Sequence, residues 1–409
     1  MASRTRRLLS SGARATDACI VAARRTPIGG FNGSLASLSA PQLGAAAIKG
    51  AVAQSGMSSE LVEQVWMGNV LSANVGQAPA RQAALLANLP ESACCTTINK
   101  VCSSGLKAIT LGAQEICLGN AQVVVAGGME SMSNAPYYAP KARWGLRMGD
   151  AHLVDGMLKD GLWDPYDDHH MGHLAEKCAE KYHISREDQD AHANESYRRA
   201  LEAIAANAFA HEIVPVDVKK RGAVSSVESD DEPQQFRGNI GSAKPAFKKE
   251  GGSVTAANAS TLSDGAAALV ITSRAAADAS GATVLATLRG WADAEQAPSW
   301  FTTAPSAAIP KALVRAGVSL DEISLFEINE AFSVVSLANN QLLSLDPTKV
   351  NVLGGAVSLG HPIGCSGARI VCTLLTALKQ RGGRYGVAAI CNGGGGASAV
   401  VVEMEQHSN

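Results

Sequence analysis

The chain contains no Cys-x-x-Cys pair, no run of basic residues longer than three and no apolar stretch near the ~20 residues that span a bilayer. Each absence excludes something. Without paired cysteines a structural zinc site has no framework. Without a concentrated Lys/Arg footprint, and with a formal charge of −2, a nucleic-acid partner is not expected. Without a long apolar run no membrane-spanning helix is expected. The nine cysteines are odd in number and scattered, several in apolar runs such as Ile116-Cys117-Leu118, which suits a reducing compartment better than a disulfide scaffold. The cluster His169-His170-Met171-Gly172-His173 has imidazoles at helical spacing but no carboxylate or cysteine motif beside it. It reads as a turn entering a helix, and no metal site is expected.

What is present is a chain of 409 residues, 46% of them hydrophobic, long enough for two or three domains around a large core. Residues 1–16 stand apart: Arg4, Arg6, Arg7 and Arg14 occur with three serines and no acid before Asp17, the composition of an organelle transit peptide. Mitochondrial import is therefore expected; a basic tail on a cytoplasmic protein is the alternative. Beyond it, Ala18 to Ala23 reads as a buried strand, Gln42 to Gln54 as a helix and Leu61 to Val70 as strand-like, an alternation that implies a mostly parallel sheet with helices on its faces. From roughly Ser133 to Gly252 prolines, charges and polar runs accumulate, marking an inserted domain whose segments Leu174 to Tyr182 and Asp188 to Ala206 read as surface helices.

One unit occurs twice. Cys102-Ser103-Ser104-Gly105 opens a helix followed by a strand at Gln122 to Ala126 and the turn Gly127-Gly128; Cys365-Ser366-Gly367 opens another, followed by a strand at Gly386 to Ile390 and the turn Gly393 to Gly396. Two copies packed about a local two-fold would direct both sets of turns at a shared cleft.

Reactive side chains sit in these glycine-punctuated turns. Cys102, at a helix start, would feel unpaired N–H groups that favour its thiolate. His361, between Gly360 and Pro362, lies in a turn where an imidazole can activate a thiol near neutral pH. Cys391 closes a strand, the edge at which α/β sheets bind ligands. Asn329 precedes a helix through Val334 and Leu337; it is either that helix's cap or an amide holding water at an oxyanion site. The run Gly393 to Gly396 lacks the residues of a phosphate loop or a dinucleotide fingerprint.

Taken in order, Asn99-Lys100-Val101-Cys102-Ser103-Ser104-Gly105, Gly127-Gly128-Met129-Glu130-Ser131-Met132-Ser133, Asn329-Glu330-Ala331-Phe332, Gly360-His361-Pro362-Ile363-Gly364 and Cys391-Asn392-Gly393-Gly394-Gly395 resemble the thiolases, and among them the short-chain acetoacetyl-CoA type, from about Asp17 to Glu403. The resemblance implies an α/β fold with a five-layered αβαβα core built from two βαβαβαββ halves, 17–132 with 258–283 and 284–409, and a loop domain at 133–257. It implies Cys102 as acylated nucleophile, His361 as its activator, Cys391 as the acid/base at the substrate α-carbon, Asn329 as holder of an oxyanion-site water shared with His361, and the N–H groups of Cys102 and Gly393 as a second oxyanion hole. His170 and Met171 match the mouth of a short acyl pocket, and Leu162, Phe247, Ala256, Ser260, Ala331 and Phe332 match a coenzyme A path. Acetyl-CoA, acetoacetyl-CoA and CoA are the implied substrates and products, with no cofactor. The segment Pro136 to Gly156 resembles a tetramerisation loop, so a homotetramer is implied. Asp230 to Gln235 departs from the pattern, which often places a basic residue against CoA; Lys244, Lys248 or Arg237 remain to meet the 3′-phosphate. Competing readings are a broad-range degradative thiolase, a decarboxylating ketoacyl synthase or hydroxymethylglutaryl-CoA synthase, and a CoA-thioester binding protein without catalysis; the Cys391-Asn392-Gly393-Gly394 segment speaks against the synthases.

Overall fold

A computed structural model describes residues 14–220 and 222–405. Most of the segment 1–16, read as a transit peptide, lies outside the described residues. The first half runs β1 (Ala18–Arg25), α1 (Ala40–Ser55), β2 (Gln64–Gly68), α2 (Pro79–Leu86), β3 (Cys94–Ile98), α3 (Ser104–Leu118) and β4 (Val123–Ser131). The chain then leaves the core through α4 (Met171–Tyr182) and α5 (Arg186–Ala205) and returns as β5 (Ser263–Ser273). The second half repeats the plan with β6 (Ala286–Glu295), α6 (Pro305–Ala316), β7 (Ile323–Ile328), α7 (Ser333–Leu343), α8 (Ser366–Arg381), β8 (Tyr385–Asn392) and β9 (Gly396–Met404). Its third strand has shrunk to a parallel bridge between Val350 and Phe326.

The strands follow the order β7-β8-β9-β6-β1-β5-β4-β2-β3. Within the sheet, among the described residues, the halves join where Cys19 and Ile20 pair with Thr287 and Ala286. Among the described strands, β2 pairs in parallel with β3 and β4, and β7 with β8, and the other ladders of this sheet are antiparallel. The sheet is therefore mixed, not mostly parallel, because each half ends in a pair of neighbouring strands that run in opposite directions.

Side-chain alternation sorts the layers. A strand sends successive residues to opposite faces, and here Val124 and Ala126 of β4 pack with Ile109 and Ile116 of α3, whereas Val123 and Val125 pack with Leu43 and Ile48 of α1. In β8, Ala388 and Ile390 face the same inner cluster, whereas Val387 and Ala389 face Ile309 and Ala312 of α6. Near-continuous apolar strands are thus covered on both faces, and five layers result, with α3 and α8 in the middle.

The two inner helices meet where the repeat places glycine. A Cβ on Gly105 would lie 2.8 Å from the Ala368 nitrogen, and one on Gly367 would lie 2.3 Å from the Leu106 nitrogen. Only hydrogen at both positions lets the N-terminal turns of α3 and α8 touch. That contact brings the segments just before them, Cys102 and His361, to one place.

Candidate active site

Asn99 to Ser104 form a tight turn. Val101 is held at φ 48°, a left-handed conformation costing a β-branched residue on the order of 1–3 kcal/mol. It is pinned from three sides: the Val101 N–H donates to Asn99 Oδ1 at 3.0 Å, the Ser104 hydroxyl donates to the Val101 carbonyl at 2.6 Å, and Ser104 Oγ accepts from the Lys100 N–H at 2.8 Å. The strained turn delivers Cys102 to the wall of a cavity of about 700 Å3. Helix α3 starts two residues later, with Ser103 as its cap. The thiol is not the depressed one expected of a helix terminus: burial pushes it up to about 11, opposed in part by the backbone N–H groups of Gly393 and of Cys102 itself. Two convergent backbone donors at a nucleophile are the geometry of an oxyanion hole. Gly394 and Gly395, at φ 86° and 88°, make the turn that aims Gly393, and a Cβ on Gly395 would fall 2.2 Å from the Gln296 carbonyl.

His361 is 6% exposed, lines the same cavity, and its Nδ1 lies 2.6 Å from Ser366 Oγ. The Ser366 hydroxyl donates to the Pro362 carbonyl at 3.0 Å, so toward the ring it accepts. That assigns the proton to Nδ1 and leaves Nε2 a bare acceptor, and Nε2 is buried without a protein partner. Burial, then repulsion from Arg369, lowers the imidazole to about 3, so it stays neutral at physiological pH. A neutral thiol beside a neutral imidazole can transfer its proton only as the sulfur attacks.

Asn329 is not a helix cap; Phe332 occupies the N-cap of α7. Asn329 is 1% exposed and neither side-chain atom has a protein partner, an arrangement that suits a bound water or substrate oxygen. Its N–H donates to the Ala389 carbonyl at 3.0 Å, tying it to β8 two residues before Cys391. The strand-like segment Ala259–Thr261 then links this turn to His361: the Ser260 N–H donates to the Ala331 carbonyl, and the His361 N–H to the Thr261 carbonyl, each at 3.1 Å. Cys391 is fully buried inside β8, packed with Met171, Ala259, Ala331 and Phe332, and burial and then the Cys102 thiol push its own thiol far up.

Leu162, His170, Met171, Phe247, Ala256, Ser260, Ala331 and Phe332 all line the cavity with Cys102, His361 and Gly393; Cys391 and Asn329 lie behind that lining. Of the histidine cluster, His170 is the N-cap of α4. His170 Nδ1 accepts from the Gly172 N–H at 3.0 Å, and its ring stacks on Phe247 with centroids 4.7 Å apart. Phe332 meets Phe247 edge-on at 6.3 Å, completing an aromatic wall.

The acidic run that departs from the expected pattern has other partners. Asp230 makes a two-pronged pair with the fully buried Arg25, at 2.7 and 3.0 Å, and Asp231 accepts from the N–H groups of Gly30 and Ser34 at 3.0 and 2.9 Å. Glu232 lines the cavity and accepts from the Tyr197 hydroxyl at 3.0 Å. Among the three substitutes, Lys248 pairs with Glu180 and Arg237 donates to the carbonyls of Gln234 and Phe236.

Three contributors escaped the sequence reading. Ser366, expected only as part of a helix start, orients His361. Glu130, in a motif without an assigned role, is fully buried and accepts from the N–H groups of Val70, Leu71 and Gly364 and from Asn69 Nδ2, joining the His361 turn to β4; burial pushes its carboxyl up to about 7. Gly30 to Gly33 and Phe31 form part of the cavity wall, a contribution that follows only from their tether to Asp231.

The family model for "Thiolase, N-terminal domain" matches residues 18–275, and that for "Thiolase, C-terminal domain" matches 282–404. The chain is similar to Acetyl-CoA acetyltransferase 2 of Arabidopsis thaliana, 57% identical over 394 residues that cover 95% of this chain and 97% of the relative. It is 55% identical to the acetyl-CoA acetyltransferase of Schizosaccharomyces pombe over 390 residues, 95% and 99% of the two chains. Among solved structures it resembles the Acat5 thiolase of Ascaris suum in complex with coenzyme A, at 46% identity and a TM-score of 0.90 over 95% of this chain and all of that one.

Proposed function

This chain belongs to the thiolase family, and from that premise we propose that it is an acetyl-CoA C-acetyltransferase, catalysing the reversible condensation of two acetyl-CoA molecules to acetoacetyl-CoA and CoA. The observation that carries the reading is the convergence of Cys102, the unpartnered Nε2 of His361 and the Gly393 N–H on one cavity. His361 takes the thiol proton as Cys102 attacks the thioester carbonyl, the N–H groups of Gly393 and Cys102 hold the oxyanion, and CoA departs as the thiol with the proton of Cys391, leaving acetyl-Cys102, a protonated His361 and a Cys391 thiolate. That thiolate takes an α-proton from a second acetyl-CoA, whose enolate oxygen is held by His361 and an Asn329-bound water, and the carbanion attacks the acetyl carbonyl. Cys102 leaves as the thiolate and recovers its proton from His361. Coenzyme A is substrate and product, and the sequence of steps uses no metal or redox group.

The short acyl preference rests on Met171, whose side chain lines the cavity and packs against Cys391 and Phe332. Thiolysis of acetoacetyl-CoA beside a long-chain 3-ketoacyl-CoA at saturating CoA tests it: activity on the short substrate alone is expected, and comparable rates on both would make the protein a broad-range thiolase. Assembly into a homotetramer is part of the proposal; Trp144, Leu146, Met148 and Leu153 are exposed in the segment read as the assembly loop, and a monomer by light scattering at micromolar concentration would refute it. Import into mitochondria rests on the composition of residues 1–16 alone.

A further inference from the structure

Behind the nucleophile, on the side of Cys102 away from the substrate walls, a polar junction ties the Cys102 turn to the Cys391 turn. Asn392 Oδ1 accepts from the Ser103 hydroxyl at 2.8 Å and from Lys100 Nζ at 3.1 Å, and Asn392 Nδ2 donates to the Gly393 carbonyl at 2.8 Å. The Ser103 hydroxyl also lies 3.1 Å from the Ile390 carbonyl. Lys100 is braced by Glu295 at 3.2 Å and Asp293 at 3.7 Å, and Asp293 is held in turn by Lys107 at 2.7 Å and by the Ser398 hydroxyl at 2.6 Å. Ser103 is wholly buried and Asn392 4% exposed, whereas the Lys100 side chain keeps 20% of its surface.

We infer that Asn392, with Ser103 and Lys100 as its two donors, is a positioning clamp that sets the Gly393 N–H on the Cys102 sulfur and holds the strained Val101 turn in register with it. The Cys102 turn and the Gly393 turn lie far apart in the sequence, on different halves of the fold, and their flanking helix α3 and strand β8 share no backbone ladder. An oxyanion hole drawn from both needs a link shorter than the helix packing supplies, because a displacement near 1 Å is enough to weaken such a site about a hundredfold. Asn392 provides that link from one side-chain amide: its oxygen grips the Cys102 turn and its nitrogen grips the carbonyl of Gly393. An aspartate could keep the first grip but would set an oxygen against the Gly393 carbonyl, so the amide is required.

The inference rests on Cys102 being the acylated nucleophile, and two readouts separate the claims. In Ser103→Ala and Lys100→Met, acetylation of Cys102 by acetyl-CoA, followed by rapid quench, slows about tenfold to a hundredfold with KM for acetyl-CoA unchanged, and Lys100→Arg restores most of the rate. Iodoacetamide alkylation of Cys102, which needs no substrate, shifts its pH profile upward in the same two variants, because the sulfur loses a backbone donor. Lys100→Met alters a partly exposed side chain, so it reports even where Ser103→Ala is poorly folded. Wild-type acetylation rates and an unshifted alkylation profile in either folded variant would overturn the clamp, as would slower acetylation without any shift in the profile. Failure of the wild-type protein to acetylate Cys102 would instead overturn the proposed function.

Discussion

Removing the Ser366 hydroxyl tests the assignment of His361 as the base. Ser366 is 1% exposed and accepts from Nδ1 at 2.6 Å, and nothing else in the described residues is bonded to that nitrogen. In Ser366→Ala the Nδ1–H loses its acceptor in a site closed to bulk water, and the tautomer that presents a bare Nε2 to the thiol loses its preference. A buried donor left unpaired costs about 1–3 kcal/mol; at 1.36 kcal/mol per tenfold that is roughly a 5- to 150-fold loss in the rate at which acetyl-CoA acylates Cys102. KM should hold, because Leu162, Phe247 and the rest of the cavity wall are untouched. Rapid-quench acylation monitored by intact mass, with thermal unfolding as a check on the fold, makes the measurement. A folded Ser366→Ala protein that acylates within twofold of wild type would show that the Nδ1 contact does not govern the base, and the tautomer argument would fail.

Two further outcomes follow from the buried charges. The Cys102 thiol is raised to about 11, so alkylation of the resting protein by iodoacetamide should climb about tenfold per pH unit through pH 9, where an ordinary thiol levels off; a plateau near neutrality would mean a resting thiolate. Arg25 is fully buried between Asp230 and Glu212, so Arg25→Met leaves two carboxylates unpaired and should lower stability to urea by about 3–5 kcal/mol. A loss below about 1 kcal/mol in the same urea titration would show that the acidic run does not anchor the N-terminal strand.

The sequence made the layer plan and the repeat legible because both leave periodic traces. Apolar runs on Val123–Ser131 and Tyr385–Asn392 required helices on two faces, and the shared Ser-Gly opening of α3 and α8 pointed to a local two-fold that the Gly105 and Gly367 contact makes physical. The reactive residues were legible from chemistry in unusual surroundings: a thiol or imidazole among glycines. What stayed hidden was contact between distant turns. Nothing adjacent to His361 marks Ser366 as its partner, since serine at a helix start is ordinary, and nothing in Asp230-Asp231-Glu232 shows that Arg25 and Gly30 lie across from it. The thiol's titration was read with the wrong sign because a helix terminus is local and visible in sequence, whereas desolvation is tertiary and larger here. Capping stood as one of two readings of Asn329 for the same reason; α7 begins three residues beyond the point at which it would hold, and neither side-chain atom of the amide has a protein partner.

The most direct test of the account is to mix the protein with acetyl-CoA, digest it and locate the acetyl group by mass spectrometry in three forms: wild type, Cys102→Ser and Cys391→Ser. The account predicts acetyl on the Cys102 peptide in wild type and in Cys391→Ser, none in Cys102→Ser, and acetoacetyl-CoA formation only in wild type. Acetyl on another residue, or condensation that survives either substitution at full rate, would contradict it.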